Sequence, residues 1–383
     1  MITQEKLLGI CKDKIVPSWN STPNTFPSFL REYTKKEQEV NGAAFKKLRP
    51  TFANALPSLL RKNSKRYAQL LREELKTFVE TECLFYLRDN VPPSSLNNFE
   101  EKFLFFIEKT KSFDGRIGSA ELWQALRNYL IYCVIQLMEG RALDTRDTIF
   151  AFSLLYPYTD NFIDSCRRTK KEKENFNNLV RMTILEKDIK PKNRSEKKTK
   201  SLLQTALDEY EGCAKKKEQT KSLLMDMQDA QENSMNQKSE KKKTLTYEQI
   251  LELSVNKGCY SVVIDYLFAM DLETDKITDN ELEFYLAFGL MLQLVDDIQD
   301  ISEDMGKSQT LMTLAKNEKE LEDATNKLFH FTHTYMTRYL SKNQKIQDFF
   351  VPLAELAVLS AIMRSSKYYS KEYLQGLKKH FPA

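Results

Sequence analysis

The sequence predicts an all-α fold of long helices with few connections. Three observations carry this prediction. Glycine (10) and proline (11) together make up only about 5% of 383 residues, against about 12% in average proteins. Apolar residues recur with a period near 3.6 through almost the whole chain. No stretch alternates apolar and polar residues as a strand does. A chain so poor in turn residues cannot make the many tight turns of a β-sandwich or barrel. Hydrophobic residues are 41% and charged residues 29%, which suits a sizeable core under a soluble surface.

In chain order, amphipathic helices are expected near 26–40, 43–62, 64–88, 98–111 and 119–140. Pro92-Pro93 followed by Ser94-Ser95 mark a firm break among them. The stretch 144–166 is more apolar, so it should be buried on most sides. Residues 172–187 and 200–230 read as polar helices with a breaker at Pro191. Long helices follow at 246–270, 278–304, 316–341 and 344–367. No internal repeat is evident. Residues 1–115 are assigned as N-terminal helices packed on a bundle formed by 116–383, with basic, partly mobile connections within 187–245.

No apolar run reaches the ~18 residues needed to span a bilayer. The longest lie near 284–295 and 351–363, and the second contains Glu355. The N-terminus mixes acidic and basic residues and has no apolar segment of signal-peptide length. A cytoplasmic location is the expectation. Six cysteines at 11, 83, 133, 166, 213 and 259 show no CxxC spacing. They read as reduced core thiols, neither a disulfide framework nor a zinc site.

Charge is uneven. Residues 167–243 hold 21 Lys+Arg against 13 Asp+Glu, a net of +8, and the rest of the chain is net −4. The basic runs alternate with acids and lack interleaved aromatics. They read as solvated connections, and no nucleic-acid partner is expected.

Two carboxylate clusters carry the chemistry. Asp160 and Asp164 are four apart, so on a helix they share a face with Cβ atoms roughly 6 Å apart. Their run-in, Ile149 to Leu155, is apolar. Buried carboxylates need a counter-charge, and hard cations such as Mg²⁺ bridge carboxylates to substrate phosphates. The second cluster runs Asp296-Asp297-Ile298-Gln299-Asp300-Ile301-Ser302-Glu303-Asp304 after the apolar run Leu286 to Leu292. Asp296, Asp300 and Asp304 fall at i, i+4 and i+8, and no base intervenes before Lys307. The expected metal ligands are therefore Asp160, Asp164, Asp296, Asp297, Asp300 and Asp304, with Asp160, Asp164, Asp296 and Asp300 as the catalytic set. The two stripes could face each other across a bundle cavity and hold a cluster of Mg²⁺ ions, which would hold a diphosphate. Only three histidines are present, and no GxxxxGK[ST] or GxGxxG loop occurs.

The segment Gly289-Leu290-Met291-Leu292-Gln293-Leu294-Val295-Asp296-Asp297-Ile298-Gln299-Asp300 resembles the second aspartate-rich motif of trans-prenyltransferases. With Ile301-Ser302-Glu303-Asp304 it also looks like the matching motif of squalene and phytoene synthases. Both are class I isoprenoid synthases. Lys257-Gly258-Cys259-Tyr260-Ser261 stands where that superfamily has a helix break with a substrate-facing lysine. Asp160-Asn161…Asp164, with Tyr158 before it, is similar to the first motif of large bacterial terpene synthases of the tetraprenyl-curcumene synthase type. The resemblance covers about 140–310.

The resemblance implies a large antiparallel isoprenoid-synthase bundle around a central apolar cavity, three Mg²⁺ ions and a linear prenyl diphosphate that ionises there to an allyl cation. It implies substrate contacts from Asn161, Lys257, Lys307 and Arg364, and a cavity wall that includes Phe152, Tyr156, Tyr260 and Phe288. Gly258 would break its helix and turn Lys257 inward. Chain-elongating relatives carry a second aspartate where Asn161 stands, and an Arg-Arg-Gly further on. Here Arg167-Arg168 come early and lead into Thr169. That favours a one-substrate terpene synthase, a carbon–oxygen lyase, over a prenyl diphosphate synthase or head-to-head condensing enzyme. A non-catalytic helical scaffold is the alternative from another class. A greasy substrate leaves room for peripheral membrane contact, and a dimer is open.

Overall fold

The computed structural model describes every residue except 1, 60–63, 85–86, 92, 166, 211, 235–236, 238–243, 272–274, 340–341 and 343. Side chains at 48–59, 64–65, 67, 90, 93–94, 96, 164 and 234 are likewise outside the description. Helices make up 76% of the chain, and no strand occurs among the described residues. The all-α class holds.

The chain begins with α1 (Gln4–Ile10), a π-helical turn (Cys11–Ile15) and α2 (Val16–Ser21). The hairpin pair α3 (Lys35–Leu59) and α4 (Ser64–Thr81) follows, then α5 (Leu87–Asn90), α6 (Pro93–Phe113) and α7 (Ser119–Met138). Next come α8 (Asp147–Asp164), α9 (Lys170–Ile184), α10 (Arg194–Asp208) and α11 (Ala214–Ser234). The remainder is α12 (Tyr247–Ala269), α13 (Asp279–Gln299), α14 (Ile301–Asp304), α15 (Glu318–Arg338), α16 (Gln344–Arg364) and α17 (Lys371–Leu377).

Local chemistry starts several of these helices. Thr169 with Glu172, Thr246 with Gln249 and Thr278 with Glu281 each form a capping box at the start of α9, α12 and α13. Each box satisfies backbone N–H groups that the first turn would otherwise leave open. Gly306 takes φ of 77° and ends α14, a conformation glycine adopts without penalty.

The bundle is arranged around α12. It packs most extensively on α13, and α7, α8 and α11 complete its surroundings. Its apolar residues are almost all buried. Helix α8 lies between α7 and α10, while α15 and α16 cover the other side of α13. By length and hydropathy α16 could cross a bilayer, but half of that window is buried against the protein.

Several boundaries differ from the sequence reading. Residues 26–34 form turns, and one helix, α3, runs from Lys35 through the stretch read as a second helix. The N-terminal segment packs on the bundle core. Leu7, Ile15 and Trp19 are buried in the same cluster as the bundle helices. The Trp19 indole N–H donates to Tyr247 Oη at 2.8 Å, and its ring meets Phe331 edge-on at 5.5 Å. The basic segment at 194–200, expected as a loose connection, is the first half of α10. Glu196, Thr199, Leu202 and Leu203 of that helix are buried, and it packs on α8. Lys197 is exposed, whereas Lys198 and Lys200 are half-buried and donate to the carbonyls of Phe113 and Ile189. Within the stretch 187–245, expected as partly mobile, residues 211, 235–236 and 238–243 lie outside the described residues.

Candidate functional site

Helix α12 is continuous through Gly258, so the expected helix break is absent. The glycine serves packing instead. A Cβ at Gly258 would lie 2.5 Å from the Gly289 carbonyl oxygen, and one at Gly289 would lie 2.4 Å from the Gly258 oxygen. Helices α12 and α13 therefore cross in direct backbone contact. That crossing sets Lys257 beside the C-terminal half of α13.

The acidic stripe is not one straight helix. Helix α13 stops at Gln299, Asp300 sits at φ −96°, ψ 7°, and α14 resumes at Ile301. The turn-by-turn spacing survives. Asp300 N–H donates to Asp296 O at 2.9 Å, and Asp304 N–H donates to Asp300 O at 2.9 Å. Asp297 is buried, and its Oδ1 accepts from Gln293 Nε2 at 2.8 Å. Its Oδ2 has no hydrogen-bond partner among the described residues. Burial pushes the Asp297 carboxyl up to about 7, against the pull of the Lys257 ammonium. Asp300 is raised to about 6 by burial, then by Asp296, Glu303 and Asp304. Asp304 is raised by burial too, again with Lys257 opposing. Lys257 is thus the cation that faces this cluster from α12.

Arg364, at the end of α16, is exposed and donates to Gln299 Oε1 at 3.0 Å. Its charge eases Asp300. Ser365 Oγ donates to Ile298 O at 2.6 Å and ties the two helix ends together.

Helix α8 supplies the opposite wall. Phe152 meets Phe268 of α12 edge-on at 5.5 Å and Tyr156 at 5.6 Å. One turn on, the buried Tyr156 hydroxyl lies near Asp265 and Ser261 of α12. As α8 advances from 152 to 156, its partners on α12 step back from 268 towards 261. The helices are antiparallel here, and one turn further along α8 Asp160 lies within electrostatic reach of the Tyr156 hydroxyl. The side chain of Asp164 lies outside the described residues. Asn161 is exposed.

Other expected site residues are placed elsewhere. The Tyr260 ring is buried on another face of α12, with Gln4, Cys11 and Asp226 around its hydroxyl. Residues 260 and 261 are about 100° apart around the helix, so only one of them can face α8. Phe288 stacks on Phe284 and meets Phe350 of α16 edge-on at 5.0 Å. Lys307 is exposed just past the stop at Gly306. A cavity of about 750 Å³ opens at the far end of α12, lined by residues that include Arg141, Arg146, Lys216 and Lys342.

Three polar residues near Tyr156 escaped the sequence reading: Asn128, Ser261 and Asp265. The signal was present in Val262-Val263-Ile264-Asp265-Tyr266-Leu267-Phe268, a lone carboxylate inside an apolar run.

Among the described residues, no three His, Cys, Asp or Glu side chains are gathered closely enough to cage a metal ion. The site offers instead an all-oxygen donor set with the buried Asp297 Oδ2 unpartnered. That set fits a hard cation which takes few protein carboxylates and fills its other positions with water or phosphate.

Fold and site together define an all-helical protein in which a lysine of the central helix faces aspartates of a neighbouring one. No family model matches the chain, and no curated protein matches it.

Proposed function

We propose that this chain is a class I terpene synthase that ionises a linear prenyl diphosphate and releases diphosphate. The observation that carries the reading is the position of Lys257 on α12, where its ammonium acts on Asp297 and Asp304 of the neighbouring acidic stripe. An ammonium set among carboxylates is suited to a ligand that is itself a polyanion with counter-ions.

Asp296, Asp297, Asp300 and Asp304, together with Asp160, are the residues that would hold magnesium. Bound there, Mg²⁺ would neutralise charge on the leaving diphosphate as a Lewis acid. Lys257 contributes a fixed positive charge to the departing oxygens, and Arg364 adds a second from the rim. In the ionisation step the allylic C–O bond breaks, its electron pair leaves with the diphosphate, and an allyl cation stays behind. Phe152 and Phe268 present ring faces and edges that favour a cation.

The test is diphosphate release from single prenyl diphosphates, from geranyl upward, with and without Mg²⁺. Release without isopentenyl diphosphate is the expected result. Release only when isopentenyl diphosphate is added would make the protein a condensing synthase. No release at any chain length would leave the helical scaffold as the better account.

A further inference from the structure

One face of α12 carries more polar groups than packing requires. Ser254, Lys257, Ser261 and Asp265 recur at three- and four-residue spacing, so they line one stripe of an otherwise apolar helix. Asp265 is 1% exposed. Its Oδ1 lies 3.4 Å from Asn128 Nδ2, which also reaches Ser153 Oγ at 3.3 Å. Asp265 Oδ2, Tyr156 Oη and Ser254 Oγ are buried without a hydrogen-bond partner among the described residues. Such groups cost free energy when left unpaired, and helical cores rarely keep them without a ligand or a bound water. Where α8 passes α12, the Asp265 carboxyl lies within electrostatic reach of the Tyr156 hydroxyl, which has Ser261 beside it. Eight residues of helix place Asp265 about 12 Å from Lys257, below the charged end of the site and next to Phe152 and Phe268.

We propose that Asp265, Tyr156 and Ser261 hold a water molecule that captures the carbocation, so that the product is a terpene alcohol. This rests on the function proposed above. The step balances without another reagent. A lone pair of the water oxygen forms a C–O bond to the cationic carbon. One O–H bond of that water then breaks, and its proton passes to the released diphosphate, the strongest base present. The stripe from Asp265 through Ser261 to Lys257 leads towards that anion. Burial holds the Asp265 carboxyl well above the usual range, opposed by the hydrogen bond from Asn128. A neutral acid anchors a water by hydrogen bonds. An ionised carboxylate at the same place would instead strip a proton from the cation and give an olefin.

The experiment incubates the full-length protein with Mg²⁺ and a prenyl diphosphate in ¹⁸O-labelled water. It measures both diphosphate release and the label in extracted products. The expected result is labelled alcohol as the main product, above the background of Asp297→Asn. Asp265→Leu should lower alcohol relative to olefin about tenfold per diphosphate released, the loss of roughly 1.4 kcal/mol in favour of water capture. Asp265→Asn, neutral and still hydrogen-bonding, should retain alcohol, and Ser261→Ala gives a second reading should Asp265→Leu fold poorly. Diphosphate release with purely hydrocarbon products would overturn this inference and leave the proposed function standing. So would an unchanged product ratio in both Asp265→Leu and Ser261→Ala. No diphosphate release from the unaltered protein would overturn the function and this inference together.

Discussion

Gly258 and Gly289 bring two core helices into backbone contact, each blocking the position where the other's Cβ would stand. Alanine normally stabilises a helix interior by up to about 1 kcal/mol over glycine. Here steric overlap with backbone reverses the sign. Gly258→Ala and Gly289→Ala should each destabilise by about 2–3 kcal/mol in denaturant unfolding, as overpacked cores do. A gain in stability from either change would show that the helices can separate without cost.

Lys257 and Asp297 should be energetically coupled. Asp297→Asn removes a buried carboxylate and should leave the protein free of metal at least as stable as before. Lys257→Met alone should cost stability, because it strands Asp297 and Asp304 without their cation. A double-mutant cycle should return a coupling of about 1–2 kcal/mol, and a value near zero would remove Lys257 from the cluster. Mg²⁺ with diphosphate should raise the Tm of the unaltered protein more than either alone, and Asp297→Asn should abolish that synergy.

Asp226 predicts a pH dependence away from the site. Its side chain is buried on α11, and burial, then Asp229, raises its carboxyl to about 6. In the unfolded chain it titrates near about 3.9. Between those values the folded state binds more protons, so this group's contribution to stability falls as pH rises from about 4 to about 6. Above that range the loss is complete. Asp226→Asn should flatten the slope and stabilise the protein by about 1–2 kcal/mol at neutral pH. An identical slope in the variant would contradict the assignment.

Trp19 tests whether the N-terminal segment is part of the bundle. Its indole is buried, bonded to Tyr247 and set against Phe331. Trp19→Ala should cost about 3–5 kcal/mol and lower the single unfolding transition of the whole chain. A separate low-temperature transition with the main one unmoved would show a boundary near 115.

The amino-acid sequence alone determined the helices and the acidic stripe, because both depend on neighbours within one or two turns. Period, capping residues and the spacing of Asp296, Asp300 and Asp304 are local properties. It also singled out Lys257, by its place beside Gly258. The tertiary structure decided what is opposite what. Gly258 reads as a helix break in one dimension and as a contact only when Gly289 is brought against it. Tyr260 and Ser261 are adjacent in sequence, yet the rotation of α12 turns one towards the N-terminal helices and the other towards Tyr156. Asp265 lies in an apolar run whose significance depends on Asn128 and Tyr156, from two other helices. The direction in which a core side chain points is set by helix crossing angle and register, and these come from packing between residues remote in the chain.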